Sequence, residues 1–173
     1  MPAPSQQPTA ISVIDLEASG FGRGSYPIEV GFVLDDGRAY CTLIQPADGW
    51  THWDASAGAL HGITRQTLAQ HGRPAVVVAS MLNQQLAGRT LYSDAWAHDY
   101  AWLAVLFEEA DFSPAFKLES VVALLDEQQL PRLRDAQRAA LASLGLTRHR
   151  ASNDARALQM ALRQLHGNVT AAT

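Results

Sequence analysis

Two carboxylates interrupt an apolar run near the start of the chain, Asp15 and Glu17 in ISVIDLE (11–17). In an extended strand, positions i and i+2 project from the same face, so both acids leave one side of one strand. Aspartate and glutamate are poor strand formers, and two on one face carry a local cost unless something uses their charge. Other acids stand in comparable settings. LYSDAWAHDYAWL (91–103) holds Asp94 and Asp99 among large apolar residues, and HRASNDA (149–155) places Asp154 five residues after His149. Hard divalent cations take several carboxylate oxygens, and in-line attack on a phosphodiester is served by two metals about 4 Å apart. A histidine, with an ordinary pKa of about 6.5, can take the proton of an attacking water near neutral pH. Four carboxylates and one imidazole therefore make a set suited to phosphate-ester hydrolysis.

Each residue also has a plainer reading. Asp15 and Glu17 fit a strand end entering a solvated loop. Asp154 fits the first turn of a helix capped by Ser152 or Asn153, where the helix dipole favours an acid. His149 fits a surface loop, and Asp94 fits a routine cap at a strand-to-helix turn. The charge count favours the combination. The chain carries 13 basic and 17 acidic residues, net −4, and the acids less Asp15, Glu17, Asp99 and Asp154 equal the bases. Such a balance argues against holding nucleic acid by a broad basic surface. It leaves room for meeting phosphates through bound cations, whose own charge dominates locally.

The elements that must position these residues follow from pattern. ISVIDLE (11–17), PIEVGFVL (27–34), RAYCTLI (38–44) and RTLYS (89–93) read as strands, with DDG (35–37) as a hairpin turn. Helices are expected near 54–60 and 64–70, the second capped by Thr64, and over 74–88 between Pro74 and Gly88. Further helices are expected over 97–109, 119–125, 133–144 and 153–167. Strands, a hairpin and then strand–helix alternation describe an α/β domain with a mixed central sheet.

At 173 residues the chain fits a single domain, read as a disordered lead-in over 1–10, the domain over 11–167 and a flexible tail over 168–173. The start has no signal-peptide pattern, and no apolar run approaches the roughly 20 residues that cross a bilayer. Cys41 is the single cysteine, which excludes a disulfide framework and a thiolate zinc site. It reads as a buried strand residue rather than a nucleophile, and a reducing, cytoplasmic setting fits.

IDLEASGF, AHDYAWL and HRASNDA resemble, in this order, the three motifs of the DEDD 3′→5′ exonucleases, and His-x4-Asp resembles their histidine-bearing branch. YPIEVGFVL and HGITRQTL resemble ancillary stretches of the same enzymes, so the likeness runs from about residue 11 to 165. The resemblance implies a ribonuclease H-like fold: one α/β domain, with a mixed central sheet flanked by helices. It implies that Asp15, Glu17, Asp99 and Asp154 hold two Mg²⁺ or Mn²⁺ and that His149 is the general base. Phe21 matches a position that stacks on the terminal base in relatives, or else is a loop residue packed on the core. Arg148 and Arg150 are phosphate contacts or solvated arginines. Ala18–Ser19 stand where relatives often carry Thr-Thr, and Ser93–Asp94 and His98 where they often carry His-Asn and Phe. These departures bear on substrate identity, and they make Ala18 and Asp94 candidate substrate contacts. The implied activity releases nucleoside 5′-monophosphates from the 3′ end of single-stranded DNA or RNA. Competing readings are a phosphodiesterase acting on dinucleotides or short oligonucleotides and a catalytically silent nucleic-acid-binding protein. Some relatives are homodimers, so the resemblance leaves a dimer open.

Overall fold

Alternation along β1 (Ser12–Ala18) organises the molecule. The computed structural model describes residues 10–167, so the tail over 168–173 and all but the last residue of the lead-in lie outside the described residues. β1 pairs antiparallel with β2 (Pro27–Val33), and β2 with β3 (Ala39–Leu43). The DDG turn closes that hairpin: Gly37 takes a φ of 87° and the Leu34 N–H donates to the Arg38 carbonyl at 2.8 Å. On its other side β1 runs parallel to β4 (Thr90–Ser93), which runs parallel to β5 (Lys117–Ser120). The five-stranded order is β3-β2-β1-β4-β5, the mixed sheet expected.

β5 departs from expectation. A helix was expected over 119–125, and the chain instead forms β5 followed by a single 3₁₀ turn, Val121–Ala123. Its alternation of Lys117 and Glu119 outward with Leu118 half-buried is too short to read as a strand. Charged residues of this kind blunt an exposed sheet edge, and pairing with β4 decides the conformation.

Helices α1 (Ala55–His61), α2 (Arg65–His71) and α3 (Ala75–Leu86) precede β4. Asp54 and Thr64 cap the first two by accepting from Ser56 N–H and Thr67 N–H. α3 and α4 (Trp96–Glu109) cover one face of the sheet, where Ile14, Leu16, Val30 and Phe32 meet Val78, Leu82, Leu103 and Leu106. The other face takes α6 (Ala151–Gly167), with α5 (Leu133–Leu144) packed against it; there Val13 and Val33 meet Ala155, Leu158 and Leu162. Burying a leucine such as Leu158 contributes about 1.5–3 kcal/mol. No helix among the described residues is long and apolar enough to cross a membrane.

Two polar devices seat α6 on the sheet. Gln159 donates from Nε2 to the carbonyls of Ile11 and Leu34 at 2.8 and 2.7 Å. Glu29, 1% exposed on β2, accepts from the Ala151 N–H at 2.8 Å and from Arg150 Nη2 at 2.7 Å. A buried carboxylate thus meets the positive end of a helix and a guanidinium at once. Between them lies Gly31, opposite Asp15 in the register, where a Cβ would fall 2.6 Å from the Ala151 backbone carbon. Only glycine lets the first turn of α6 lie so close to the sheet.

Candidate active site

Even-numbered residues of β1 (Ile14, Leu16, Ala18) enter the core under α3 and α4, so Asp15 and Glu17 emerge on the opposite face, the one carrying α6. Because α6 starts directly over Gly31, Asp154 in its first turn arrives beside them. Asp99, 1% exposed, reaches the same place from the first turn of α4. Its carboxylate accepts from Ser93 Oγ at 2.5 Å, and that oxygen accepts from the Ala95 N–H at 3.0 Å. Ser93 therefore ties the strand-to-helix turn, where Asp94 was expected as the cap. The Asp94 side chain is exposed and accepts from Gln137 Nε2 of α5 at 2.7 Å.

The α6 cap also differs from expectation. Ser152 and Asn153 lie inside the helix, which begins at Ala151, because Glu29 satisfies its first turn from β2. The loop before it turns at His149, whose φ of 64° is uncommon for a residue with a side chain. His149 N–H donates to Asp154 Oδ2 at 2.7 Å. The turn brings the imidazole back over β1, where one ligand atom each from Glu17, His149 and Asp154 lie within 4.8 Å of one another. The three stretches singled out by sequence converge on one end of β1.

The electrostatics of this cluster ask for positive charge. Burial first, then repulsion from Asp99, Glu17, Asp154 and Asp94, raises Asp15 well above the ordinary carboxylate range. Glu17 is pushed up to about 8, by burial and then by the charges of Asp154, Glu29 and Asp99, with Arg150 opposing. Burial lifts Asp99 to about 7 against the hydrogen bond from Ser93, and burial raises Asp154 as well. Glu17 and Asp99, pushed up to about 8 and 7 chiefly by burial, form with Asp15 and Asp154 a buried, raised donor set of the kind that hard divalent cations relieve.

Beside Glu17 and His149 lies a hollow of about 110 Å³ whose walls include Ala18, Phe21, Leu60 and Trp102. Phe21 is 62% exposed and meets His98 edge-on at 5.0 Å and Trp102 at 5.8 Å, while His98 stacks on Trp102 at 5.6 Å. Trp102 is fixed by its Nε1 donating to Ser25 Oγ at 3.0 Å. Arg150, a candidate phosphate contact in the sequence, has its guanidinium engaged by Glu29. Leu60 and Glu29 were missed. Glu29 is a lone acid in the apolar strand PIEVGFV and was legible as an anomaly, whereas the exposure of Leu60 on α1 shows only in the fold.

No protein-family model matches the chain, and no curated protein sequence does. Solved structures of similar fold include exonuclease I from Methylocaldum szegediense, at 17% identity and a TM-score of 0.66 over 94% of this chain and 43% of that one. E. coli exonuclease I in complex with a dT13 oligonucleotide aligns at 14% identity with a TM-score of 0.69, over 94% of this chain and 42% of that one. A zinc-bound form of the E. coli enzyme with single-stranded DNA aligns at 15% identity and 0.66, over 95% and 43%. This chain thus spans less than half the length of these neighbours. The five-stranded mixed sheet with its flanking helices is the ribonuclease H-like α/β fold that these structures share.

Proposed function

We propose that the chain is a metal-dependent 3′→5′ exonuclease that releases nucleoside 5′-monophosphates from single-stranded DNA or RNA. The observation that carries this reading is the convergence of Asp15, Glu17, Asp99, Asp154 and His149, from three separate stretches, on one end of β1 beside an exposed aromatic shelf. The exonuclease I structures of similar fold are described with bound single-stranded oligonucleotides, which supports the same substrate class here.

Asp15, Glu17, Asp99 and Asp154 would hold two Mg²⁺ or Mn²⁺, whose charge balances the four carboxylates. When bound, such ions polarise the scissile phosphate and make water a usable nucleophile at neutral pH. His149, on the open side of the cluster, takes the proton of the attacking water through a ring nitrogen, and its backbone bond to Asp154 keeps it within reach. Phe21 offers a ring face to the terminal base, a contact worth about 1–3 kcal/mol and indifferent to base identity. Ala18, buried under the hollow, lets the terminal nucleotide approach the carboxylates closely. Ser93 holds Asp99 in its rotamer as a positioning residue.

The test incubates 5′-labelled single-stranded DNA and RNA 20-mers with Mn²⁺, beside Asp99→Ala and His149→Ala. A ladder shortening from the 3′ end, lost in both variants, is expected. No ladder with the unaltered protein refutes the nuclease reading, and full activity of Asp99→Ala refutes the site.

A further inference from the structure

On the far side of Asp154 from the aromatic hollow, α5 and the loop before α6 enclose a groove of about 300 Å³. Its polar lining is Arg134, Gln137 and Arg138 of α5, Arg148 of the loop, Asp94 and Asp154. Arg134, Gln137 and Arg138 stand at i, i+3 and i+4, so one face of α5 presents them together. Asp94 and Asp154 are the groove's acids, and Asp154 belongs to the carboxylate cluster, where bound cations would neutralise it. Three arginines then face a single carboxylate, Asp94, whose oxygen is held by Gln137. Among the described residues Arg134 has no ion pair, and Arg138 pairs with Asp135 only on the open surface of its own helix. Arg148 lies 3.9 Å from Asp154 at the junction of groove and cluster.

We propose that this groove binds the phosphodiester backbone of the strand on the 5′ side of the scissile bond, through Arg134, Arg138 and Arg148. The inference rests on the nuclease reading above and deepens it. The hollow beside Glu17 and His149 takes the terminal nucleotide, the carboxylates take the scissile phosphate, and the arginine groove takes the phosphates that follow. A dinucleotide carries no phosphodiester beyond the scissile one, whereas a longer strand does, so the groove makes the protein prefer polynucleotides. Its occupant is a run of phosphodiesters, a chemistry DNA and RNA share.

The test measures binding and turnover separately on the unaltered chain, on Arg134→Gln/Arg138→Gln, and on Lys117→Gln/Arg73→Gln, a pair with the same charge change away from the groove. Binding of labelled single-stranded DNA and RNA 20-mers is read by fluorescence anisotropy with Ca²⁺ replacing Mn²⁺. Two lost phosphate contacts lower the salt slope of single-strand binding by about 1.4, equivalent to about 10–25-fold in Kd at 0.1 M salt. The ratio of kcat/KM for a 20-mer over that for a dinucleotide should fall by a similar factor with Mn²⁺. Equal Kd values for the two double variants, or an unchanged ratio, overturn the groove. A DNA-only effect or an RNA-only effect overturns the claim that the shared backbone is what binds. Binding that depends on the arginines without hydrolysis of any substrate removes the nuclease reading and keeps the groove. Hydrolysis with binding indifferent to the arginines does the reverse.

Discussion

Metal-free protein should lose stability as pH rises through neutrality, and divalent cations should restore it. Glu17 sits at about 8 against an ordinary value of 4.5, and Asp99 at about 7 against 3.8. Between pH 4.5 and 8 the unfolded chain has released the Glu17 proton while the folded, metal-free protein retains it. The folded state then binds more protons, so stability is full below pH 4.5 and falls as pH rises toward 8. At one pKa unit per 1.4 kcal/mol, Glu17 alone lowers stability by about 3 kcal/mol at pH 7. For a domain of this size that is about 6–12 °C in Tm. A cation at a hundredfold excess over its Kd returns about 3 kcal/mol by mass action. The assay is thermal unfolding by circular dichroism from pH 5.5 to 8, in EDTA and in excess Mg²⁺ or Mn²⁺, for the wild type and Glu17→Gln. His61, held below its ordinary 6.5 by burial, contributes the opposite slope at the acidic end; the difference between the two proteins removes it. In EDTA the wild type should fall steadily behind Glu17→Gln as pH rises, and cations should narrow the gap. A metal-free wild type that gains on Glu17→Gln with pH, or a Tm indifferent to Mg²⁺ and Mn²⁺ at pH 8, refutes the reasoning.

Three substitutions probe the surroundings of the cluster. Ser93→Ala removes a hydrogen bond to buried Asp99 and should cost about 1–3 kcal/mol in stability, with weaker Mn²⁺ binding by calorimetry; unchanged affinity counts against Ser93 as a positioning residue. Asp94→Asn keeps an acceptor for Gln137 while removing a charge that raises Asp15 and Asp99, so turnover should remain measurable. A loss as complete as in Asp99→Ala would put Asp94 among the metal ligands instead. Phe21→Ala should raise KM for a single-stranded 20-mer about 5–150-fold at near-constant Tm, by loss of one stacked base; an unaltered KM removes the shelf from the substrate path.

The sequence made the fold legible where local signals and tertiary environment agree. β1 and β2 follow from their β-branched, apolar composition, the DDG hairpin from turn chemistry, and α2 from its cap Thr64. It failed where a partner distant in sequence decides. β5 exists because β4 lies beside it, and α6 starts at Ala151 because Glu29 reaches it from β2. The candidate site follows the same division. Asp15 and Glu17 stand out as costly residue types on a strand, whereas Asp99, Asp154 and His149 are legible only in combination with them and through the motif resemblance. Leu60, Trp102 and the arginines of α5 acquire a role only when the helices bring them to the ends of the cleft. Ser93 looked unremarkable beside Asp94 because a serine in a turn has many ordinary uses.

Three carboxylates of the cluster come from the first and last elements of the described chain, β1 and α6, across the glycine that lets them touch, and the fourth, Asp99, comes from α4. Asp15 and Glu17 are in place as soon as the hairpin forms, yet they gain Asp154 and His149 only when α6 docks. During synthesis α6 emerges after all five strands, so a nascent chain can pair its sheet before Asp154 and His149 join Asp15 and Glu17. Lifting the first turn of α6 from Gly31 would withdraw Asp154 and His149, the proposed ligand and base, together while leaving β1–β5 paired. Activity would therefore report the docking of one helix, and should vanish under mild denaturant before the sheet melts.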